Sequence, residues 1–414
     1  MLISIRHVPI GYSNVMNSTR VLQLATSTGG GAGIAARRLH EALTEIHVDS
    51  TLLTLSGDNK PSGIFEVKRS VYNKIKSSML TALQSIFLQA TDQLLTPLSK
   101  NSIRERKINL SNYEVIHIHA YYNLLSSSRI IKLCRENPKK RIFITLHDER
   151  FLTGGCHYSQ GCTNIENECR NCPQATRIGK YLVNRDYKKK VKTLNSLQNL
   201  SLISPSAWLQ TAANNNPATA DLKCHVVRNP IPQVFFDVPV SQEHEKILRV
   251  VFISAHLNTR MKGLTTLISA MNLLAEQGFS DRFELLFVGR GQVPNFLDSR
   301  IKFDKAVTNT DEETANILSK CQILAVPSIQ DNLPSTMVEA ICAGLSVVGT
   351  KTGGIQEILS SYDQSIVNVG NSKELAAELL YLLNVRSSPS RNKALSEFSY
   401  PEVAKRLVHI YETG

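Results

Sequence analysis

Residues 326–359, VPSIQDNLPSTMVEAICAGLSVVGTKTGGIQEIL, constrain the fold more tightly than any other part of the chain. The apolar run 323–327 reads as a buried strand. Pro334 suits an early helical position, where its missing N–H costs nothing and its φ is already helical. Met337, Val338, Ile341 and Cys342 then recur at helical spacing, and Gly344 can take the positive φ that ends a helix. A second strand follows over 345–349, and Thr352-Gly353-Gly354 leads into another helix. Paired glycines let main-chain amides approach a ligand, and a helix start offers unpaired N–H groups to an anion. Two helix N-termini therefore open on one edge of a parallel sheet, the edge at which α/β proteins take up nucleotides and phosphates.

Two carboxylates lie in this frame, Asp331 before the first helix and Glu339 within it, with seven residues between them. Carboxylates accept hydrogen bonds from sugar hydroxyls, so one can hold a ribose and the other a second sugar while amides hold phosphate between them.

The strand and helix alternation extends over the rest of the chain. Residues 21–26 read as a strand, 27–33 (STGGGAG) as a tight loop and 34–43 as a helix, an order that turns amides toward a phosphate or a closely approaching substrate. Residues 113–119 and 141–146 are further strand candidates. His117, His119 and His147 thus fall near carboxyl ends of strands. Alternation sends His117 inward to a structural role, while His119 is open to either a structural or a functional one. A strand over 202–206 closes this half. In the second half 248–254 and 283–288 read as strands, and 264–275, 311–319 and 400–412 as helices. The turn Gly289-Arg290-Gly291 is suited to main-chain contact with a nucleotide base.

At 414 residues the chain has room for two or three domains, each with its own core. No apolar run approaches the ~18 residues that span a membrane. The N-terminal MLISIRHVPIGYSN lacks the basic start, apolar centre and small-residue cleavage site of a secretory signal, which points to the cytoplasm. A formal charge of +12 favours anionic partners. Nucleoside diphosphates and phospholipid surfaces stand ahead of nucleic acid, for which no signature is present. Residues 70–98 carry apolar positions at helical spacing, with Lys68, Lys74 and Lys76 nearby and Arg104, Arg106 and Lys107 following. Such a helix can lie on an anionic membrane or pack on a sheet with a solvated face. The basic run 180–192 reads as a solvated helical face.

Cys156, Cys162, Cys169 and Cys172 fall within seventeen residues, the last two in a C-x2-C knuckle. Four thiols can close a tetrahedral zinc site with no open position, which would be structural; disulfides or free thiols are the other readings.

Together these residues resemble the retaining glycosyltransferases of family 4, of the GT-B fold. The resemblance rests on Asp331-x7-Glu339, which is similar to the family's E-x7-E with aspartate in first place. It rests also on Pro327-Ser328, Leu333-Pro334, Glu339-Ala340, Gly344, Gly353-Gly354 and Glu357. It implies two Rossmann-like domains facing across a cleft: 1–235 on the acceptor side, 236–398 on the nucleotide-sugar side, and a terminal helix 399–414 returning to the first. It further implies that Asp331 contacts hydroxyls of the transferred sugar and Glu339 the ribose, with Leu333, Ser335, Thr336, Gly353, Gly354 and Gly289 around the nucleotide sugar and Gly31 over the cleft. Lys262 matches a family lysine on the donor diphosphate, with Arg260 beside it. His256 stands where the family often has arginine. His147, in Thr145-Leu146-His147-Asp148, matches a histidine that contacts the donor sugar. The cysteine-rich insertion 153–174 resembles that of a bacterial subgroup which builds colanic acid and exopolysaccharides.

The expected activity is transfer of a sugar from a nucleoside diphosphate to a glycan or lipid-linked glycan. It would take place in the cytoplasm or on the cytoplasmic face of an anionic inner membrane. No D-x-D sequence occurs, so no catalytic metal is expected. A nucleotide-sugar epimerase, or a non-catalytic sugar- or membrane-surface-binding protein of the same fold, are the alternatives.

Overall fold

The structure, a computed structural model, describes residues 19–56, 62–67, 75, 78–79, 95–96, 109–121, 124–239, 246–385 and 388–414. The membrane-surface expectation for 68–107 and the N-terminal reading of 1–14 lie almost wholly outside these residues. The chain divides into two units: Met1–Ser204 with Gln210–Val227 and Ala404–Gly414, and Pro205–Leu209 with Arg228–Val403.

The first unit is built on β1 (Val21–Leu24), β2 (Ser50–Thr54), β3 (Ile64–Glu66), β4 (Val115–Ile118), β5 (Arg141–Thr145), β6 (Leu200–Ser204) and β7 (Cys224–Val226). They form one sheet in the order β3-β2-β1-β4-β5-β6-β7, and every pairing is parallel. β1, β4 and β6 are buried at every residue, as a parallel sheet covered on both faces requires. The strand order reverses direction between β1 and β4, so the carboxyl ends of these two strands flank a crevice. The last helix, Tyr400–Thr413, ends in this unit. Tyr411 is fully buried with its ring centroid 5.1 Å from that of Phe143, and its hydroxyl meets His117 Nδ1 at 2.6 Å.

The second unit holds β8 (Leu248–His256), β9 (Phe283–Arg290), β10 (Lys302–Ala306), β11 (Ile323–Val326), β12 (Ser346–Thr350) and β13 (Ser365–Val367), again all parallel, in the order β10-β9-β8-β11-β12-β13. Its strands feed two cores by alternation. Leu324 and Val326 enter one cluster with Val251 and Val347. Ile323 and Ala325 enter the other with Val250 and Val348. A period of two places successive side chains on opposite faces, so a strand with apolar residues throughout supports helices on both.

Three expectations are corrected. The helix expected at 34–43 begins at Gly30, so the glycine-rich stretch is mostly the helix's first turn rather than a loop. The crossing expected at 235/236 occurs at Val227/Arg228, because Ile231, Phe235 and Val238 are buried in the second unit's core. The basic run 180–192 is not wholly solvated. Lys190 is fully buried, with Nζ donating to the carbonyls of Thr153 (2.5 Å) and Arg150 (3.2 Å) and 3.0 Å from Asp186.

Burial holds the imidazoles of His117 and His147 at pKa values of about 3 and about 4, below the usual 6.5. An unfolded chain binds protons at these histidines below pH 6.5 and the folded one does not. Their contribution to stability is therefore complete above pH 6.5 and lost progressively as pH falls toward those values. The urea midpoint of the first unit is expected to drop between about pH 7 and about pH 5, before most carboxylates titrate. His117→Gln should reduce that slope.

Candidate functional site

In the second sheet the strand order reverses between β8 and β11, and the loops after these two strands carry the candidate charges. After β8 a single 3-10 turn, Arg260–Lys262, ends at Gly263 in the left-handed region, with φ 71°. A Cβ at Gly263 would stand 1.8 Å from the Pro327 carbonyl oxygen, so this loop lies directly on the chain leaving β11. Ile329 N–H donates to the Met261 carbonyl at 2.8 Å, which ties the two loops. The result is an ion pair: Lys262 Nζ lies 2.5 Å from Asp331 Oδ2, with both side chains mostly buried. Arg260, in the same turn, is exposed.

The loop from β11 feeds the helix Ser335–Ala343, capped by Pro334, which stands just outside the helix rather than in its first turn. Leu333 is buried beneath it, Ser335 and Thr336 form its first turn, and Glu339 is only 4% exposed. Gly344 ends it at φ 84°.

A third loop, after β12, completes the cluster. Gly353 has φ 52°, and a Cβ there would sit 1.8 Å from the Asp331 carbonyl oxygen. Gly354 donates its N–H to the Asn332 carbonyl at 2.7 Å. The paired glycines therefore allow close main-chain packing against Asp331 and Asn332. The amide of Gly354 is thereby committed, contrary to the expectation that both glycines offer amides to a phosphate. Gly289 likewise permits a close main-chain approach. It lies in β9 at φ 149°, and a Cβ would come within 1.9 Å of the Ser254 carbonyl oxygen.

Several positioning residues were not singled out from sequence. Ser206 Oγ donates to Asn332 Oδ1 at 2.6 Å. Glu357 accepts from Arg228 (2.7 Å) and from the Trp208 N–H (3.2 Å). Arg228 also pairs with Glu397 at 2.9 Å, which accepts from Tyr362 Oη at 3.0 Å. Glu357 is thus a structural knot at the helix Gly353–Ser361. Its partners lie more than a hundred residues away in sequence, and no local pattern indicates them.

The remaining candidates belong to the first unit. Gly31 is exposed in the helix Gly30–Glu45, with nothing within 4 Å of an added Cβ. His147 follows β5, and its Nε2 lies 3.2 Å from Nδ1 of His119, which follows β4. His117 is fully buried between Tyr411 and Thr145, the structural role that alternation indicates.

The cysteine-rich segment has little regular structure. It is anchored by Glu149, which accepts from the N–H (2.6 Å) and hydroxyl (2.7 Å) of Ser159, and by the buried Lys190. Gln160, Glu168 and Cys169 adopt positive φ. All four cysteines line one cavity of about 30 Å³ and carry free thiols. Burial pushes Cys156 up to about 12 and Cys169 to about 11. In kind these donors suit zinc. Among the described residues, however, no three potential ligands are gathered in metal-holding geometry.

The family model for glycosyl transferases group 1 matches residues 248–385, which span β8 through β13 and hence the whole Lys262–Asp331 cluster. The chain carries a glycosyl transferases group 1 domain. It is 21% identical over 322 residues to the putative colanic acid biosynthesis glycosyl transferase WcaC of Escherichia coli K12, covering 72% of this chain and 76% of WcaC. It is 26% identical over 210 residues to the amylovoran biosynthesis glycosyltransferase AmsK of Erwinia amylovora, covering 46% of this chain and 51% of AmsK. Among solved structures, HepE of Anabaena in complex with UDP matches with a TM-score of 0.62 at 14% identity, covering 96% of this chain and all of that one. The protein is a glycosyltransferase, and its two parallel-sheet units are those of the GT-B fold.

Gly353→Ala in this glycosyltransferase is expected to lose at least about 2 kcal/mol of stability, because it combines a left-handed φ with a main-chain clash. Chemical denaturation of the purified variant measures this, and native-like stability would contradict the close packing of the third loop.

Proposed function

We propose that this chain is a retaining family 4 enzyme that moves a sugar from a nucleoside diphosphate to a glycan or lipid-linked glycan, in the assembly of a bacterial surface polysaccharide. The observation that carries the reading is the Lys262–Asp331 pair at the strand-order reversal of the second sheet. A cation there meets the diphosphate, and a carboxylate beside it accepts from hydroxyls of the sugar that the diphosphate carries. The names of WcaC and AmsK support polysaccharide assembly, and the UDP in the HepE complex supports a nucleotide donor.

In the reaction the bond from the sugar's anomeric carbon to the diphosphate oxygen breaks, and one to the acceptor oxygen forms on the same face. The acceptor's proton passes to the departing phosphate. Negative charge grows on the diphosphate as that bond lengthens. Lys262, Arg260 and the first-turn amides at Ser335 and Thr336 stabilise it, doing electrostatically what a metal does elsewhere. Glu339 takes the ribose hydroxyls and His147 a donor-sugar hydroxyl. Open space around Gly31 admits the ligand to the first unit's helix start. Among the described residues no helix is long and apolar enough to cross a membrane. We place the enzyme in the cytoplasm, with its excess positive charge against an anionic inner-membrane face.

A thermal-shift panel of UDP, GDP, ADP and their sugars identifies the donor, since ligand at a hundredfold excess over Kd adds ~2.7 kcal/mol. With that donor, Lys262→Ala and Asp331→Ala should each lower turnover by about 100-fold or more while far-UV circular dichroism is unchanged. Unchanged turnover in both would exclude the site. Conversion of the nucleotide sugar without transfer would make the chain an epimerase, and binding without turnover a binding protein.

The four cysteines are proposed to close on one structural zinc. The support is their shared cavity, together with amide N–H groups already directed at sulfur: Gln174 Nε2 to Cys156 Sγ at 3.1 Å and Asn164 Nδ2 to Cys162 Sγ at 3.4 Å. Elemental analysis should find one zinc per chain, lost in Cys169→Ser, with acceptor use falling more than nucleotide affinity. Active protein purified without metal would rule this out.

A further inference from the structure

A line of hydrogen bonds runs through the first unit from β3's approach to the end of β5, and its direction is fixed by its far end. The Ser62 carbonyl can only accept, so His40, at 3.0 Å, must carry its proton on Nε2. His40 Nδ1 is then an acceptor, and the Ser50 hydroxyl 3.0 Å away must donate to it. Having spent its proton, Ser50 Oγ accepts from Gln23 Nε2 at 2.9 Å. That orients the Gln23 amide, whose Oε1 accepts from His119 Nε2 at 3.1 Å. His119 Nδ1 is therefore bare and accepts from His147 Nε2 at 3.2 Å. The lone pair of neutral His147 is left on Nδ1.

Each link is built into the fold rather than lying on its surface. Gln23, His40 and His119 are buried, and Gly63, at φ 83°, leaves the room that the His40 ring occupies: a Cβ there would stand 2.9 Å from it. Gln23 lies on β1 and His119 just after β4, at the point where this sheet's strand order reverses. Burial keeps the imidazoles of His40, His119 and His147 below their usual range, so all three are neutral near pH 7. The charged neighbour of His147 is Asp148, which opposes that shift without cancelling it, and His117 acts on His119 in the same direction as burial.

We infer that Ser62, His40, Ser50, Gln23 and His119 are positioning residues that lock His147 as the Nε2–H tautomer, so that its Nδ1 accepts a hydrogen bond from a hydroxyl of the donor sugar. The hydroxyl partner rests on the glycosyl-transfer reading above; the tautomer does not. The consequence is a selectivity rule. The hydroxyl at this position must donate, so a group of similar size that can only accept is discriminated against.

Nitrogen NMR of the full-length protein labelled with 15N-histidine tests the tautomer directly, with His147 assigned by difference against His147→Gln. The expected result is a proton on Nε2 and none on Nδ1 from about pH 5 to about pH 8. A proton on Nδ1, or on both nitrogens, overturns the proposal in the native protein without recourse to a variant. Gln23→Glu then reverses the line: a carboxylate at this distance favours the His119 imidazolium, whose Nδ1–H donates to His147 Nε2 and moves the His147 proton to Nδ1. An unmoved tautomer in that variant also overturns the relay, because a merely structural glutamine would leave it so. For function, kcat and KM are compared for the nucleotide sugar found in the panel and its monodeoxyfluoro analogues, whose fluorine accepts but cannot donate. One analogue should lose about tenfold or more in kcat/KM with the native enzyme, and Gln23→Glu should regain much of that loss for this analogue alone. No selective regain counts against the acceptor role of Nδ1. If no nucleotide sugar is turned over while the nitrogen signals are as expected, it is the glycosyl-transfer reading that fails and the relay that stands.

Discussion

Main chain packed against main chain is the constraint on which the second unit's site depends. Gly263 lies against the Pro327 carbonyl and Gly353 against that of Asp331, each at a separation no side chain could share. These contacts draw together the loops after β8, β11 and β12. Only then can Lys262 and Asp331, sixty-nine residues apart, meet at 2.5 Å. The ion pair is a product of the backbone packing and not its cause. A partly exposed lysine and carboxylate attract each other too weakly to gather three loops. Once the loops are fixed by close packing, the two charges are held in place at little further entropic cost.

How far the sequence revealed this follows from how local each signal is. The strand, helix and glycine pattern of 323–361 is written in adjacent residues, and the elements fall within a residue or two of expectation. The same locality misled at Gly30 and Gly354. A run of glycines reads as a loop or an amide cradle, whereas Gly30 opens a helix and the Gly354 N–H is already bound to Asn332. Lys190 shows a second limit, since its basic neighbours indicate a solvated face while three oxygens hold it in the interior. The Arg228–Glu357–Glu397 knot shows a third. Its members are unremarkable one by one, and only the chain's return brings them together.

The two units place polar chemistry in their sheets' carboxyl edges in opposite ways. The second keeps formal charges, Lys262 and Asp331, and leaves them partly open to solvent. The first buries its polar groups fully and keeps them neutral, as imidazole, amide and hydroxyl. Desolvation accounts for the difference. An ion removed from water costs several kcal/mol unless it is paired and fully hydrogen-bonded, whereas neutral groups in an unbroken chain of donors and acceptors give up little.

That neutrality also carries information that a charge pair cannot. An ion pair has the same sense whichever way its members are approached. A chain of neutral donors and acceptors has a direction, set at one end and read at the other. Ser62, which has only a carbonyl to offer at that point, determines which nitrogen of His147 holds a proton, although the two residues are eighty-five apart in sequence and never touch. Substitution at Ser50 or Gln23 should therefore change what His147 presents to a ligand without moving the ring. In this unit specificity at one strand end depends on groups along two other strands, and none of them need contact the substrate to matter.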